Sequence, residues 1–180
     1  MGEIRIPSDV ALIVSILYTD DLMFEAATKE LYREFGKGIV LNFSAKFDFT
    51  NYYDEELGSP IFRRFWRSES LFKRELLAEV KLKTNDIESR FSIHNKRRFN
   101  LDPGFLSAEN FVLATTKNYT HRIYLRAGIF ADLTLIYKGR EFKPLDWTYP
   151  DYASQEIREL LKSEREIYLK RLREGRNVSL

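Results

Sequence analysis

The run Val10–Leu17 (VALIVSIL) constrains this chain more than any other segment. Ser15 is its one polar residue, and Val10, Ile13, Val14 and Ile16 are β-branched. A short apolar, β-branched run of this kind reads as a central strand covered on both faces, and it is too short to span a bilayer. The next residues continue the logic. Asp20-Asp21 offers N-caps, Phe24, Ala27, Leu31 and Phe35 form a helical stripe, and Gly36 supplies the stop. From Ile39 to Phe49, Val40, Asn42, Ser44 and Lys46 alternate with Leu41, Phe43, Ala45 and Phe47. The first unit is therefore expected to be β–α–β.

Asn51–Pro60 is polar and carries Gly and Pro, as a loop does. Phe62–Phe72 is expected to hold a strand, although its arginines weaken the pattern. Lys73–Phe91 has helical period, with Leu76, Val80, Ile87 and Phe91 on one side. Arg97–Leu101 reads as a short strand ended by a turn at Asp102-Pro103-Gly104. Phe111–Thr115 and Arg122–Arg126 are further strands, the second forming a hairpin with Ile129–Tyr137 across Ala127-Gly128. Ser154–Glu174 is a charged amphipathic helix that buries Ile157, Leu161, Tyr168 and Leu172. The expected class is α+β: a ferredoxin-like βαββαβ core with an added antiparallel hairpin and a C-terminal helix. A mixed sheet in a two-layer sandwich is the alternative. With no repeat and no linker, residues 1–180 read as one globular domain.

Charge and cysteine usage narrow the chemistry. Lys and Arg number 29 against 27 Asp and Glu, a net charge of +2, which argues against a protein dominated by non-specific phosphate contacts. The absence of cysteine removes disulfides, thiolate nucleophiles, zinc ribbons and iron–sulfur clusters, and fits a cytoplasmic protein. Met1–Ser8 is polar and shows no leader pattern. Neither a phosphate loop nor a Gly-x-Gly-x-x-Gly turn is present, and Gly36-Lys37-Gly38 is a helix stop. A Gly-x-Ser-x-Gly elbow, a paired-histidine metal motif, a helix-turn-helix and the aromatic RNA-recognition motif are missing too. No cofactor and no metal is expected.

Four polar clusters remain. Asp48-Phe49-Thr50-Asn51-Tyr52-Tyr53, at a strand–loop junction, can hydrogen-bond a polar ligand, or Asp48 and Asn51 can simply shape a turn. Lys81, Thr84, Asn85 and Glu88 share one helical face, the usual mark of a solvated surface. Asn100-Leu101-Asp102-Pro103-Gly104 precedes Thr115-Thr116-Lys117-Asn118-Tyr119-Thr120-His121-Arg122, the richest stretch. There Lys117 and Arg122 can bind an anion as point charge and fork, and the threonine hydroxyls add neutral donors. His121 can exchange a proton near neutral pH. A polar hairpin turn explains the same stretch equally well. Trp147-Thr148-Tyr149-Pro150-Asp151-Tyr152 can line a stacking pocket, or more simply form a packed lid that docks the last helix.

With the first strand ending Leu17-Tyr18, and with Arg98 and His121-Arg122-Ile123-Tyr124, these clusters carry a resemblance. Over nearly the whole chain the sequence resembles a bacterial family described as a domain of unknown function, DUF4416. The resemblance implies that all four clusters belong to one family motif and meet in one site. Some members carry the label of GTP-binding protein, which requires a phosphate loop and an Asn-Lys-x-Asp base reader that this chain lacks.

Three functional expectations follow. The first is a small anionic or nucleotide-like ligand held by Lys117, Arg122 and Arg98, oriented by Thr115, Thr116 and Asn100, and stacked on Tyr149 or Trp147. The second is a hydrolase or transferase with His121 as general acid or base, oriented by Asp48 or Asp102. The third is a non-catalytic interaction protein. No membrane partner is expected and no strong nucleic-acid signature is visible.

Overall fold

Strand β1 (Val10–Tyr18) is buried along its whole length, and its alternation builds cover on both sides. In the computed structural model, which describes residues 2–50 and 53–177 with the side chains of the last three excepted, it lies inside an eight-stranded sheet. The other strands are β2 (Gly38–Lys46), β3 (Phe62–Phe72), β4 (Phe99–Leu106), β5 (Asn110–Thr115), β6 (Arg122–Arg126), β7 (Ile129–Lys138) and β8 (Glu141–Pro144). The order is β2-β3-β1-β4-β5-β7-β6, with β8 also paired to β7. Every pairing between these strands is antiparallel.

Val10, Leu12, Val14 and Ile16 pack under α1 (Asp21–Phe35) and α3 (Leu77–Arg90), against Phe24, Leu31, Val80 and Ile87. Ala11 and Ile13 face the other way, toward Tyr152 and toward Ile157, Leu161 and Tyr168 of α4 (Gln155–Asn177). Two apolar faces on one strand thus demand two helical layers. The result is three layers around an antiparallel sheet, not a mixed two-layer sandwich. Asp20 caps α1 as expected, accepting a hydrogen bond from Met23 N at 2.9 Å. A short helix, α2 (Asp54–Leu57), lies inside the expected loop. It and β8 are the elements the sequence pattern did not show.

The arginines of β3 are part of its packing. Arg63 and Arg67 are buried beneath α4, where Arg63 pairs with Asp151 and Arg67 with Glu164 at 3.1 Å. Arg64 points to the opposite face, 4.5 Å above the Phe24 ring. Alternation therefore survives, with cations standing where aliphatic residues would be.

The expected turn at Asp102-Pro103-Gly104 is not formed. β4 runs straight through it, with Pro103 opposite Val14. β5 reaches β4 only at Gly104–Leu106. Residues two apart in a strand aim their N–H and C=O groups the same way. Leu101 N–H donates to Glu88 Oε1 at 2.5 Å and Leu101 O accepts from Lys81 Nζ at 2.9 Å, so this side of β4 faces away from β1. Pro103 shares that side, where no strand requires its missing donor. Beyond Gly104 the β4–β5 ladder cannot continue, and the strands splay. No helix among the described residues is long and apolar enough to cross a membrane.

Candidate functional site

The splay between β4 and β5 opens a cavity of about 570 Å³ that reaches both faces of the sheet. β4 contributes Asn100 and Asp102, and β5 contributes Leu113 to Thr115. Lys81 and Asn85 enter from α3, while Arg63 and Tyr152 enter from the α4 side. Thr116, Lys117 and Arg122 line the cavity from the β5–β6 end, and Phe49, Thr50, Tyr53, Tyr149 and Asp151 from the flanking loops.

A continuous polar network forms one wall. The Arg97 fork grips Glu56 of α2 through Nε and Nη2, both at 2.6 Å. Its Nη1 donates to Glu88 Oε2 at 3.1 Å and to Asn100 Oδ1 at 2.5 Å. Asn100 Nδ2 donates to Asp102 Oδ2 at 2.6 Å, and Lys81 Nζ donates to Asp102 Oδ1 at 3.2 Å. Lys81, Thr84 and Glu88 are buried. This corrects the reading of their helix face as solvated: Lys81 and Glu88 satisfy the Leu101 peptide in place of a neighbouring strand.

Burial and partners set the charges. Burial raises the Glu88 carboxyl above its ordinary value, with Lys81 and Arg97 opposing it. Burial also acts to raise Asp102, but Lys81, Arg63 and the Asn100 amide together outweigh it and hold that carboxyl low. Burial pushes the phenols of Tyr53 and Tyr152 far up, so both stay neutral.

At the opposite end, sheet register sets the ion pair. Arg122 of β6 stands directly across from Asp132 of β7. Its Nε donates to Asp132 Oδ2 at 2.9 Å, Nη1 to Lys117 O at 3.0 Å and Nη2 to Tyr149 Oη at 2.8 Å. Thr115 Oγ1 accepts from Lys117 N at 3.2 Å, which folds the loop back toward the strand end.

Of the expected site residues, Lys117, Arg122, Thr115, Thr116, Asn100, Asp102 and Tyr149 line the cavity. Four do not: Arg98, Trp147, His121 and Asp48. Arg98 forms an ion pair with Asp20 at 3.7 Å on the α1 side, and its neighbour Arg97 lines the cavity instead. The chain bends at Arg98 before β4 begins at Phe99, so strand alternation does not carry through this point, and Arg97 reaches the cavity while Arg98 turns to Asp20. Trp147 stacks on His121, with ring centres 5.0 Å apart and planes at 12°, and its Nε1 donates to Leu133 O. His121 itself meets Asp132, with Nε2 3.2 Å from Oδ2, so neither Asp48 nor Asp102 orients it. Asp48 is exposed and lines the adjoining groove along β2, not the cavity. Asn51 and Tyr52 of the first cluster lie outside the described residues.

Sequence reasoning missed Arg63, Arg97 and Asp132. Arg63 and Asp132 sit in strand segments whose function looked purely structural, and Asp132 carried one available signal: a lone acid in the run Ile129–Tyr137.

These observations define an α+β protein whose antiparallel sheet is split by a polar, ion-paired cavity between two strands. The chain belongs to the family described as Domain of unknown function (DUF4416), whose model matches residues 8–168. That description assigns the family no activity, and the function of this chain is unknown. No curated protein and no solved structure matches the chain.

Proposed function

We propose that the cavity binds a small anionic or nucleotide-like ligand. One observation carries this reading: residues of all four polar clusters line a single cavity, together with five basic side chains. Its volume of about 570 Å³ lies within the range of small-molecule sites. Lys117, Arg122, Thr115 and Thr116 hold the anion, Asn100 orients the ligand, and Tyr149 offers a ring face. A ferredoxin-like core is supported by the order β2-β3-β1-β4 and by the packing of α1 and α3 on one face. A cytoplasmic setting rests on the cysteine-free sequence.

The hydrolase or transferase reading with His121 as acid or base has weaker support. That ring is held between Trp147 and Asp132 and is not among the cavity-lining residues.

Thermal melting with phosphate, sulfate and nucleotides at millimolar concentration tests the proposal. A ligand at a hundred times its Kd stabilises by about 2.7 kcal/mol, which is a readable shift. The shift is expected to disappear in Lys117→Ala combined with Arg122→Lys, which keeps a cation on Asp132 but loses the fork. A shift that persists undiminished overturns the assignment, and no shift with any ligand favours the interaction-protein reading.

A further inference from the structure

The charges around the cavity limit what it can hold. Arg63, Lys81, Arg97, Lys117 and Arg122 are the basic lining residues, and Asp102, Asp132 and Asp151 the acidic ones. Arg63 pairs with Asp151, Lys81 with Asp102 and Arg122 with Asp132. Arg97 binds both Glu56 and Glu88. Five cations are thus matched by five carboxylates, and the site is close to neutral. If Glu88, which burial drives toward its neutral form, takes a proton, the balance becomes a single positive charge. Either count leaves a triphosphate far from neutralised, and enclosing uncompensated charge is costly.

Hydrogen-bonding capacity remains on both sides of these pairs. Leu101 O and Asp102 engage two of the Lys81 N–H groups, leaving one. Each Asp102 oxygen accepts one hydrogen bond, from Lys81 or Asn100, and keeps a lone pair. A wall that both donates and accepts suits ring nitrogens, carbonyls and hydroxyls. At the mouth, Phe49 and Tyr149 are about half exposed, at 51% and 47%, and offer aromatic faces beside Thr116 and Lys117.

We infer that the cavity selects a nucleoside monophosphate or a close chemical equivalent, a polar ring carrying one anionic group, and rejects polyphosphates. This rests on the ligand-binding reading above. The ring edge meets Lys81, Asn100 and Asp102 at the floor, and the anionic group meets Thr116, Lys117 and Arg122 at the mouth.

Calorimetric titration of the full chain with adenosine and guanosine, their 5′-monophosphates and triphosphates, and inorganic triphosphate tests this. Monophosphate is expected to bind at least about tenfold more tightly than triphosphate. Its Kd is expected to change only about threefold between low and moderate salt, as weak net charge coupling requires. Glu56→Gln removes one negative charge from beside Arg97 with little change of shape, and is expected to narrow the monophosphate preference. Tighter binding of either triphosphate, or a preference unmoved by Glu56→Gln, overturns this inference while leaving the ligand-binding reading intact. If none of these probes binds, both fall.

Discussion

Glu88 shows how much one buried side chain decides here. One carboxylate oxygen accepts the Leu101 N–H and the other the Arg97 guanidinium. Removing it strands a buried backbone donor and leaves Lys81 and Arg97 with less compensation. Glu88→Ala is expected to lower unfolding free energy by about 3 kcal/mol in urea titrations. A loss below about 1 kcal/mol would show that the Leu101 peptide is satisfied in some other way. Glu56 supplies a pH signature. The hydrogen bond from Arg97, more than the opposing burial, holds its carboxyl below the ordinary value of 4.5. A depressed carboxyl pKa gives stability that is complete above the unfolded value and lost as pH falls through the folded one. Wild type should therefore lose stability below about pH 4.5, and Glu56→Gln should flatten that acid limb. Parallel acid limbs in denaturation from pH 3 to 6 would contradict it.

Between elements, α4 is joined to β3 by a buried ion pair as well as by apolar packing. Glu164 is buried and held against Arg67, and burial raises its carboxyl pKa. Breaking such a pair from one side costs about 3–5 kcal/mol, whereas replacing both partners with apolar groups is often neutral. Glu164→Ala should therefore destabilise strongly, and Arg67→Met with Glu164→Leu should recover most of the loss; equal losses in both variants would refute that account. Gly104 sets the close approach of β4 to β5, because a Cβ there would fall on the Phe111 ring. Gly104→Ala should cost about 1–3 kcal/mol, the usual range for overpacking. A neutral thermal melt would mean that the ring can move aside.

For the whole molecule, the consequence of a split sheet is coupling between layers. The cavity draws on α3 on one face, on the Tyr149–Tyr152 segment on the other, and on two strands between them. A ligand there contacts elements of all three layers and should stabilise the molecule globally, not one loop. Hydrogen exchange with a bound nucleoside monophosphate should show added protection in residues 99–102, 113–117 and 149–152 together. Protection confined to one of these segments would contradict a cavity built between layers.

The local pattern alone carried much of the architecture. Buried alternation in Val10–Leu17, the Asp20 cap with its apolar stripe, and the long C-terminal amphipathic period all reappear as elements, because each is dictated by short-range geometry. The same holds for the polar loop bearing Lys117 and for the strand that Arg122 opens. Residues whose role depends on a distant partner were not legible. Pro103 reads as a turn until the open side of β4 is known, and Arg63 and Arg67 weaken a strand on paper until Asp151 and Glu164 meet them. Lys81 and Glu88 look like a solvated face until the unpaired Leu101 peptide requires them. Arg97 and Arg98 are neighbours in sequence, and only the direction of the chain entering β4 decides which one faces the cavity. Sequence determined where the strands, the helices and most of the polar groups lie; tertiary structure decided which charges neutralise one another, since that depends on contacts made across dozens of residues.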